Sequence, residues 1–593
     1  MIRIRSLQPP NAEQLSTLLR IASGRAMADL FFEKVLIADV YTGEVRRTNV
    51  AIWGPFIGYV GPSKDMVGRD TEVIPMGDSE WVLTPGWIEP HAHPFVGYNA
   101  VRFFEKIASL GTTTVIADTL FFVQATQKPE TFPELLEKFT SLPINIGWGI
   151  RLGSQSLGFQ EEEIFSPERI LQALRLPDVV QIAEITNWPR LLNDDPKYVH
   201  SISAAREAGL RVDGHNAGLS LEKLQAAAAV GETACHEAIR SQEVLERLRA
   251  GLWVMLRQSS LRKDLPALLE DLPETALASG RFMLTTDGAA PYYLQDGFIN
   301  QALRVAVSSG LQPMTALRMA TLWPATYYHL DDMVGGIAPG KYADLVLIDN
   351  LTNFNPQIVW YHGKKIAEDK QALFPSYDLD WDRFGLGRIS CSESPIDAEW
   401  MVPICTNPSF PVVDLVGTVI TRASDEVLPC DGAGHVQLPD DSTDYVALLD
   451  RQHRWVVNGV LQGMFKDIEA LATSATIAMH LLAIGRSPHR MADALQRVQQ
   501  MGGGIVVIAE GRLQWEIPLP VGGICSEESV DNLVYIFTNF QRWIQQKGYR
   551  FDDILYTLEF LTFDTLPSVK WTPLGLWDAK GKTLIYPARL LST

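Results

Sequence analysis

The chain has 593 residues, of which 46% are hydrophobic and 20% charged, a composition typical of globular proteins rather than disordered chains. Its formal net charge of −19 disfavours nucleic acid as a partner, because the phosphate backbone would be repelled. The sequence contains no apolar run of the ~18–20 residues that a membrane span requires, and residues 1–11 lack the apolar core of a secretory signal. Five widely spaced cysteines without a CxxC pair favour a reducing compartment, so we expect a cytoplasmic protein.

Residues 1–84 predict one helix followed by short strands. Apolar residues recur at helical spacing over residues 11–28. Strand-like runs then occur at Leu30–Ile37, Thr48–Trp53, Ile57–Val60 and Thr71–Pro75. Gly and Pro separate these runs, as in meandering antiparallel sheets. A further apolar run, Val82–Ile88, ends just before a pair of histidines.

Residues 85–334 alternate between strand-like and helical segments. The strand-like runs are Thr113–Ala117, Ile144–Ile150, Val179–Ile185, Arg211–Asp213 and Arg281–Thr285. Helical spacing occurs between them, at Pro167–Arg175, Val199–Ala208 and Leu221–Ala229. Such alternation over about 250 residues is typical of parallel sheets, and we expect an α/β fold with a TIM-like (β/α)₈ barrel.

The segments that flank the barrel predict two further units. Residues 335–395 return to strand character and then become polar, and we expect their strands to join those of residues 1–84 in a small β-sandwich domain. Residues 396–593 predict an α+β C-terminal domain. Its strands are expected at Val412–Thr418, Gly504–Ala509 and Arg512–Ile517, and its helices at Arg490–Met501 and Ser529–Lys547.

The motif His91-Ala92-His93 follows the apolar run directly. Alternate residues of a strand point to the same side, so both imidazoles could bind one cation. At the carboxyl end of a barrel strand they would face the usual position of an active site. On its own the pair is a weak signal, since two surface histidines on a turn would look the same.

Four more potential metal ligands stand at the ends of later strand-like segments. They are Glu184, His215, His236 and Asp287. Each alone is as easily a structural residue as a functional one, but five strand ends in order offering His/His, Glu, His, His and Asp are hard to attribute to chance. Nitrogen and oxygen ligands without cysteine suit Mn, Fe or Zn, and the sequence does not select among them.

This ordered set resembles the amidohydrolase superfamily, and the sequence around it is most similar to adenine deaminases. The resemblance covers nearly the whole chain. The segments that carry it are Val40–Glu44, Leu83–His93, Val212–Ser220, Cys235–Glu237, Thr286–Asp287, Met319–Ala325, Met501–Val507 and Leu519–Gly523. The last two resemble a C-terminal domain that adenine deaminases have and most other amidohydrolases lack.

The resemblance implies a two-metal hydrolase that converts adenine, or a related aminopurine, to the oxo-purine and ammonia. His91 and His93 would hold one divalent ion, and His215 and His236 the other. Glu184 would bridge them, where many relatives have a carboxylated lysine. Asp287 would bind metal and transfer a proton between the attacking water and the departing amine.

The sequence departs from the adenine deaminase pattern at three places. Pro94–Tyr98 stands where the family usually has Ile-Glu-Ser, and Thr119–Phe121 where it has Pro-His-Glu. The family's Asp-Asp after the last strand is Asp287-Gly288 here. The metal set is kept while polar, substrate-facing clusters have become apolar or aromatic, so a substituted purine is a further expectation for the substrate.

Two alternatives stay open at this point. One is an amidohydrolase acting on another cyclic amidine or amide heterocycle, and the other is a non-catalytic descendant that still binds metal. Asp287 counts against the second, because a purely structural metal site needs no proton carrier. His480 matches a histidine of the family's C-terminal domain, or it is a core residue. We expect a small-molecule substrate, neither nucleic acid nor a membrane as partner, and leave a homo-oligomer open.

Overall fold

Eight parallel strands form the central sheet of the computed structural model, which describes residues 4–158, 160–405, 409–566 and 568–591. The strands, numbered here barrel strands 1 to 8, are Trp87–Ala92, Thr112–Asp118, Asn145–Ile150, Val179–Ile185, Arg211–Gly214, Ala234–Cys235, Trp253–Arg257 and Phe282–Thr285. They pair in chain order. A parallel bridge between Ala92 and Asp287 brings the first strand beside the last. The predicted TIM-like barrel is therefore confirmed, in a nearly closed form.

The barrel helices surround this sheet. Those between the strands are Ala100–Ser109, Leu120–Ala125, Phe132–Lys138, Glu161–Ile164, Pro167–Ala173, Trp188–Leu192, Pro196–Glu207, Leu221–Val230, Ser241–Arg249, Leu265–Leu269 and Glu274–Leu277. Three more follow the eighth strand, Ile299–Ser308, Pro313–Met319 and Leu322–Tyr327. Several begin at side-chain caps: Ser166, Asp195 and Ser220 each accept a backbone N–H of the first turn. Because helices cover the outside, every residue of barrel strands 2, 3 and 4 is buried.

A nine-stranded sheet combines the two flanks of the barrel, as expected. Its strands are Leu30–Asp39, Glu44–Trp53, Phe56–Gly61, Glu72–Pro75, Val82–Pro85, Leu345–Ile348, Pro356–Tyr361, Lys364–Glu368 and Gln371–Ala372. The join is made by Val82–Pro85, which pairs antiparallel with Leu345–Ile348 and parallel with Leu30–Asp39. The helix predicted over residues 11–28 is shorter, Ala12–Ala22, and begins with a capping box at Asn11.

One apolar run of the sequence contributes strands to two sheets. The apolar stretch Val82–Ile88 is divided at Gly86, so Val82–Pro85 lies in the flanking sheet and barrel strand 1 begins at Trp87. The Gly86 N–H donates to the Asp344 carbonyl at 2.7 Å. A Cβ atom at this position would lie 2.8 Å from Thr113 Cγ2, closer than side chains pack. Glycine therefore permits the close approach through which the chain passes from one sheet to the other.

The C-terminal region is built on a third sheet of nine strands. These are Phe410–Leu415, Thr421–Glu426, Thr443–Leu449, Trp455–Gln462, Ala470–Thr473, Leu481–Gly485, Gly504–Ala509, Arg512–Pro518 and Arg589–Leu590. Its helices are Pro488–Met501, Val530–Gln546 and Ile554–Phe560, and a separate three-stranded sheet is formed by Val569–Thr572, Gly575–Asp578 and Thr583–Pro587. Across the described residues, no helix has both the length and the apolar character needed to cross a membrane.

The C-terminal region is joined to the barrel by backbone pairing. Gly97–Tyr98, just after the histidine pair, forms a short parallel sheet with Cys525–Ser526. The Asn99 side chain donates to the Ser526 carbonyl at 2.8 Å, and the buried Tyr98 hydroxyl donates to Ala289 at 2.6 Å. The segment in which the sequence leaves the family pattern is therefore also the segment that contacts the C-terminal region.

The cysteines differ from the expectation of fully reduced thiols. Cys405 and Cys430 form a disulfide, and the other three cysteines are free. Cys405 and Cys430 are 25 residues apart in the sequence. This spacing matches no recognisable cysteine motif, because the two segments meet only through tertiary folding.

We predict that Gly86→Ala lowers the melting temperature of the protein. The added methyl group has to displace Thr113 or the backbone, and such overpacking destabilises by about 1–3 kcal/mol. Gly432→Ala is the matched control, because a Cβ atom there meets no atom within 4 Å. Thermal unfolding measured in parallel checks the prediction, and equal melting temperatures for the two variants would contradict it.

Candidate active site

The histidine pair stands at the carboxyl end of barrel strand 1. His91 Nδ1 lies 2.7 Å from Asp213 Oδ2, and His93 Nδ1 lies 3.0 Å from Asp118 Oδ2. The remaining ring nitrogens, both Nε2, are 3.3 Å apart. A carboxylate thus fixes the orientation of each imidazole, as is common for histidines that bind metal.

Glu184 lies between the two groups of histidines. Its Oε2 atom is 2.6 Å from His215 Nδ1 and 3.2 Å from His236 Nε2. Its Oε1 atom is 3.6 Å from His93 Nε2. One carboxylate therefore reaches histidines from barrel strands 1, 5 and 6, which is the position that a bridging ligand requires.

Asp287 reaches the histidine pair from the end of the neighbouring barrel strand 8. Its Oδ1 atom is 3.0 Å from His93 Nε2 and 3.4 Å from His91 Nε2. Its backbone has φ of +56°, a left-handed conformation that is uncommon outside glycine and that often marks functional sites. Its Oδ2 atom accepts a hydrogen bond from Arg257 Nη1 at 2.9 Å.

A buried carboxyl group ties the first barrel strand to the last. Glu89 accepts the backbone N–H of His91 at 3.0 Å and that of Thr286 at 2.9 Å. The hydroxyl of Thr285 donates to the same carboxyl at 2.6 Å. Burial raises the pKa of Glu89 to about 7, although these hydrogen bonds oppose the shift. Glu89 thereby sets the relative position of His91 and Asp287.

All six residues singled out in the sequence meet in this one cluster. Two sets of potential ligand atoms, His91/His93/Glu184 and Glu184/His215/His236, each lie within 4.8 Å of one another. Both ring nitrogens of His236 are buried without a well-aligned hydrogen bond, although Nε2 is 3.2 Å from Glu184. Unsatisfied imidazole nitrogens beside a shared carboxylate are the donor set that a divalent cation would satisfy, so the residues fit a metal site.

Five charged residues of the cluster were not predicted. They are Asp118, Arg151, Asp213, Glu237 and Arg257, from the ends of barrel strands 2, 3, 5, 6 and 7. The strand-end rule that found Glu184 would have found Asp118 and Arg151. Arg257 was missed because Trp253–Arg257 was not predicted as a strand.

Two arginines neutralise part of the acidic charge. Arg151 is 2% exposed, and its Nη2 atom lies 2.5 Å from both Asp118 and Glu184. Arg257 pairs with Glu237 and Asp287. Burial alone would raise the pKa of Asp118, but the charge of Arg151 and the His93 hydrogen bond hold it at about 2. Burial would also raise the pKa of Glu184, but the charges of Arg151 and His215 hold that pKa well below its usual value.

A small cavity of about 80 Å³ adjoins the cluster. The barrel contributes His93, Phe95, Gln155, Glu237 and Asp287 to its wall, among others. The C-terminal region contributes Val419, Ile477, Tyr556, Glu559, Phe560, Phe563 and Leu566. The sequence carried no signal for these last residues, because only the packing of the C-terminal region on the barrel places them.

The two altered segments form an aromatic wall. Phe95 lies 5.7 Å from His93 and 5.8 Å from Phe121, measured between ring centroids. Both phenylalanines are buried. Apolar rings therefore stand at the positions where the sequence departs from the family pattern.

His480 lies in a turn, not on a helix. Its Nδ1 atom is 3.5 Å from Asp450, and its ring packs on Trp455 with 4.7 Å between centroids. Burial and the charge of Arg451 lower its pKa to about 3. The cavity wall beside the metal cluster is made of other residues, and His480 is a partly buried residue of the C-terminal region.

Comparisons with known proteins cover nearly the whole chain. Residues 82–366 match the amidohydrolase family, and residues 418–583 match the adenine deaminase C-terminal domain. A provisionally named adenine deaminase of Picrophilus torridus is 31% identical over 97% of this chain and 95% of its own length. Another, from Halalkalibacterium halodurans, is 30% identical over 97% of this chain and 98% of its own length.

A protein of Cenarchaeum symbiosum named adenine deaminase is 29% identical over 97% of this chain and 95% of its own length. Among solved structures, a D-hydantoinase from Thermus sp. is 15% identical, with a TM-score of 0.44 over 58% of this chain and 97% of that one. Since relatives at 30% identity or more match it along nearly its entire length, the chain belongs to the adenine deaminase family of amidohydrolases.

Proposed function

We propose that this protein is a metal-dependent aminohydrolase that converts adenine, or a closely related aminopurine, to the corresponding oxo-purine and ammonia. One observation carries the proposal: the six ligand-type residues at five barrel strand ends converge on Glu184 beneath a C-terminal region of the adenine deaminase type. The charged cluster supplies the chemistry, and the C-terminal region covers it.

Two divalent ions suit the charge of the cluster. It contains the carboxylates of Asp118, Glu184, Asp213, Glu237 and Asp287, against the guanidinium groups of Arg151 and Arg257. With the histidines neutral, as metal ligands are, three negative charges remain, which is more than one divalent ion neutralises. We assign His91 and His93 to one ion, His215 and His236 to the other, and Glu184 to both.

The bound ions would lower the pKa of water, from 15.7 in bulk to about 7, and stabilise charge on oxygen. Asp287 is the proton carrier in this proposal, since its Oδ1 atom faces the cluster while Arg257 holds Oδ2. The water oxygen bonds to the amine-bearing ring carbon, which becomes tetrahedral, and the bond to the amine then breaks. Both protons of the water end on nitrogen, one on the ring and one on the departing amine.

The protonation state of Asp287 suits this role. Burial alone would raise its pKa, but hydrogen bonds to His91 and His93 and the charge of Arg257 hold it well below the usual value. The group therefore starts as a carboxylate that can accept a proton. Gln155, which donates to Glu184 at 3.2 Å, and Glu237 complete the polar wall around it.

A substituted purine is favoured over adenine itself by one observation, the aromatic wall. Phe95 lies beside His93 and lines the cavity, and Phe121 packs on Phe95; both stand in segments where the family has polar residues. Apolar rings suit an alkyl or aryl substituent and offer no hydrogen bond to a bare amine. The substrate panel below includes such bases for this reason.

We expect the metal-loaded protein to release ammonia from adenine, or the matching substituted amine from an adenine substituted on its exocyclic nitrogen. Ammonia release and the change in ultraviolet absorbance, measured on a panel of aminated heterocycles, check this outcome. Protein stripped of metal by a chelator is the control and should be inactive. Metal-loaded protein that turns over no aminopurine of the panel would refute the proposed function.

Two variants separate metal binding from proton transfer. His91→Ala should lose both activity and about one metal ion per chain, because a ligand is removed. Asp287→Asn should keep most of its metal while kcat falls by about 10²–10⁴, the usual contribution of a positioned acid–base group. Elemental analysis and steady-state kinetics measure both quantities.

His200→Ala is the matched control for the histidine variant, since His200 is exposed on the helix Pro196–Glu207. It should retain both metal and activity. Full activity in His91→Ala or Asp287→Asn would contradict the assignment of the site.

Arg151→Met should destabilise the metal-free protein strongly. Removing one partner of a buried ion pair typically costs about 3–5 kcal/mol, because the carboxylates stay buried without their cation. Added divalent metal should raise the melting temperature of this variant more than that of the unmodified protein. Arg383→Met is the control, since Arg383 pairs with Glu134 at the surface, where ion pairs contribute about 0–1 kcal/mol. Equal melting temperatures in the two variants would overturn the role given to Arg151.

A further inference from the structure

The helix Ile554–Phe560 brings polar side chains from the C-terminal region to the barrel mouth. It begins at Asp553, whose carboxylate accepts the Tyr556 N–H at 3.1 Å. Tyr556 and Glu559 lie one turn apart on this helix, and both line the cavity beside the metal cluster. The mechanism above uses neither residue.

Glu559 is a buried acid without a partner. The residue is 8% exposed, and among the described residues its carboxyl group has no hydrogen bond or ion pair. Burial raises its pKa to about 8, with the charge of Asp553 adding to the shift. The carboxyl group of Glu559 lines the cavity, where a bound ligand can form hydrogen bonds with it. Such a group is retained in an enzyme where a ligand supplies the missing partner.

Tyr556 fills the space left by an altered position. A side chain at residue 288 would collide with the Tyr556 hydroxyl. Gly288, which stands where the family has a second aspartate, thus makes room for the phenol. The tyrosine is 5% exposed, and its hydroxyl makes no hydrogen bond within the described part of the chain. A second polar group is therefore presented to the same cavity without a partner.

We propose that Glu559 and Tyr556 form the substrate-recognition pair of this enzyme, hydrogen-bonding to the edge of the purine that carries an N–H next to an unprotonated ring nitrogen. The inference rests on the proposed function and deepens it. A carboxylic acid presents one donor and one acceptor side by side, which matches that edge of a free base. A nucleoside has a sugar in place of the N–H.

The cavity supports the same discrimination. Phe560 and Phe563 stand beside Glu559 in its wall, so the space near the carboxyl group is bounded by rings. We therefore infer that the C-terminal helix selects free bases over nucleosides.

The test is Glu559→Leu in the full-length, metal-loaded protein. We expect KM for the best aminopurine of the panel to rise by about 10–100-fold with kcat nearly unchanged, because a binding interaction common to ground and transition states is lost. The melting temperature should stay the same or rise, since an unpaired buried acid is removed. A merely structural Glu559 would instead give a lower melting temperature and an unchanged KM. Tyr556→Phe provides a second, nearly isosteric variant with the same expected rise in KM.

Glu168→Leu is the matched control. Glu168 is exposed in the first turn of the helix Pro167–Ala173, away from the cavity wall. It should leave KM, kcat and metal content unchanged. An unchanged KM in both Glu559→Leu and Tyr556→Phe would overturn the inference while leaving the proposed function intact.

Binding separates the failure of this inference from that of the proposed function. If no aminopurine is turned over, equilibrium dialysis with adenine and with adenosine decides the matter. Adenine binding that exceeds adenosine binding and is lost in Glu559→Leu supports the recognition pair even without deamination. Equal binding in the variant, or binding of neither compound by the unmodified protein, overturns it.

Discussion

Repulsion among buried carboxylates is the constraint on which the rest of this structure depends. Five acids meet at the carboxyl ends of neighbouring strands, where little water is available to screen them. Arg151 and Arg257 occupy the gaps between them, and the remaining negative charge is what draws cations into the site. The same low dielectric that makes the unpaired cluster costly strengthens every interaction that the bound metal makes with it.

The supporting structure keeps this charge in place from two directions. Within the barrel, Glu89 connects the first and last strands, so that the nearly closed sheet holds its ligands in register. The C-terminal region covers the cluster with a mainly apolar surface. In the proposed function, strands hold the metal ligands and a separate unit recognises the substrate, so substrate preference could change without loss of the metal set.

The parts that sequence reasoning found are those fixed by local periodicity. Barrel strand 4 was predicted with its observed bounds, and six ligand-type residues followed from one rule about strand ends. Arg257 escaped because no strand was predicted over Trp253–Arg257, so the rule about strand ends was not applied there. The apolar run Val82–Ile88 gave no sign that it is divided between two sheets, since only the contact of Gly86 with Thr113 reveals the break. Tyr556 and Glu559 lie more than 250 residues from Asp287 in the sequence, so no local pattern could predict that they line the same cavity.

The short pairing of Gly97–Tyr98 with Cys525–Ser526 has a consequence for how the protein is made. The ribosome releases the barrel residues long before the segment that completes their cavity, and domains fold as they emerge. A nascent barrel can therefore gather its ligands while its mouth is still open to water. The recognition wall is complete only after the chain through Leu566 has been synthesised. Order of translation thus separates assembly of the reactive cluster from access to a substrate.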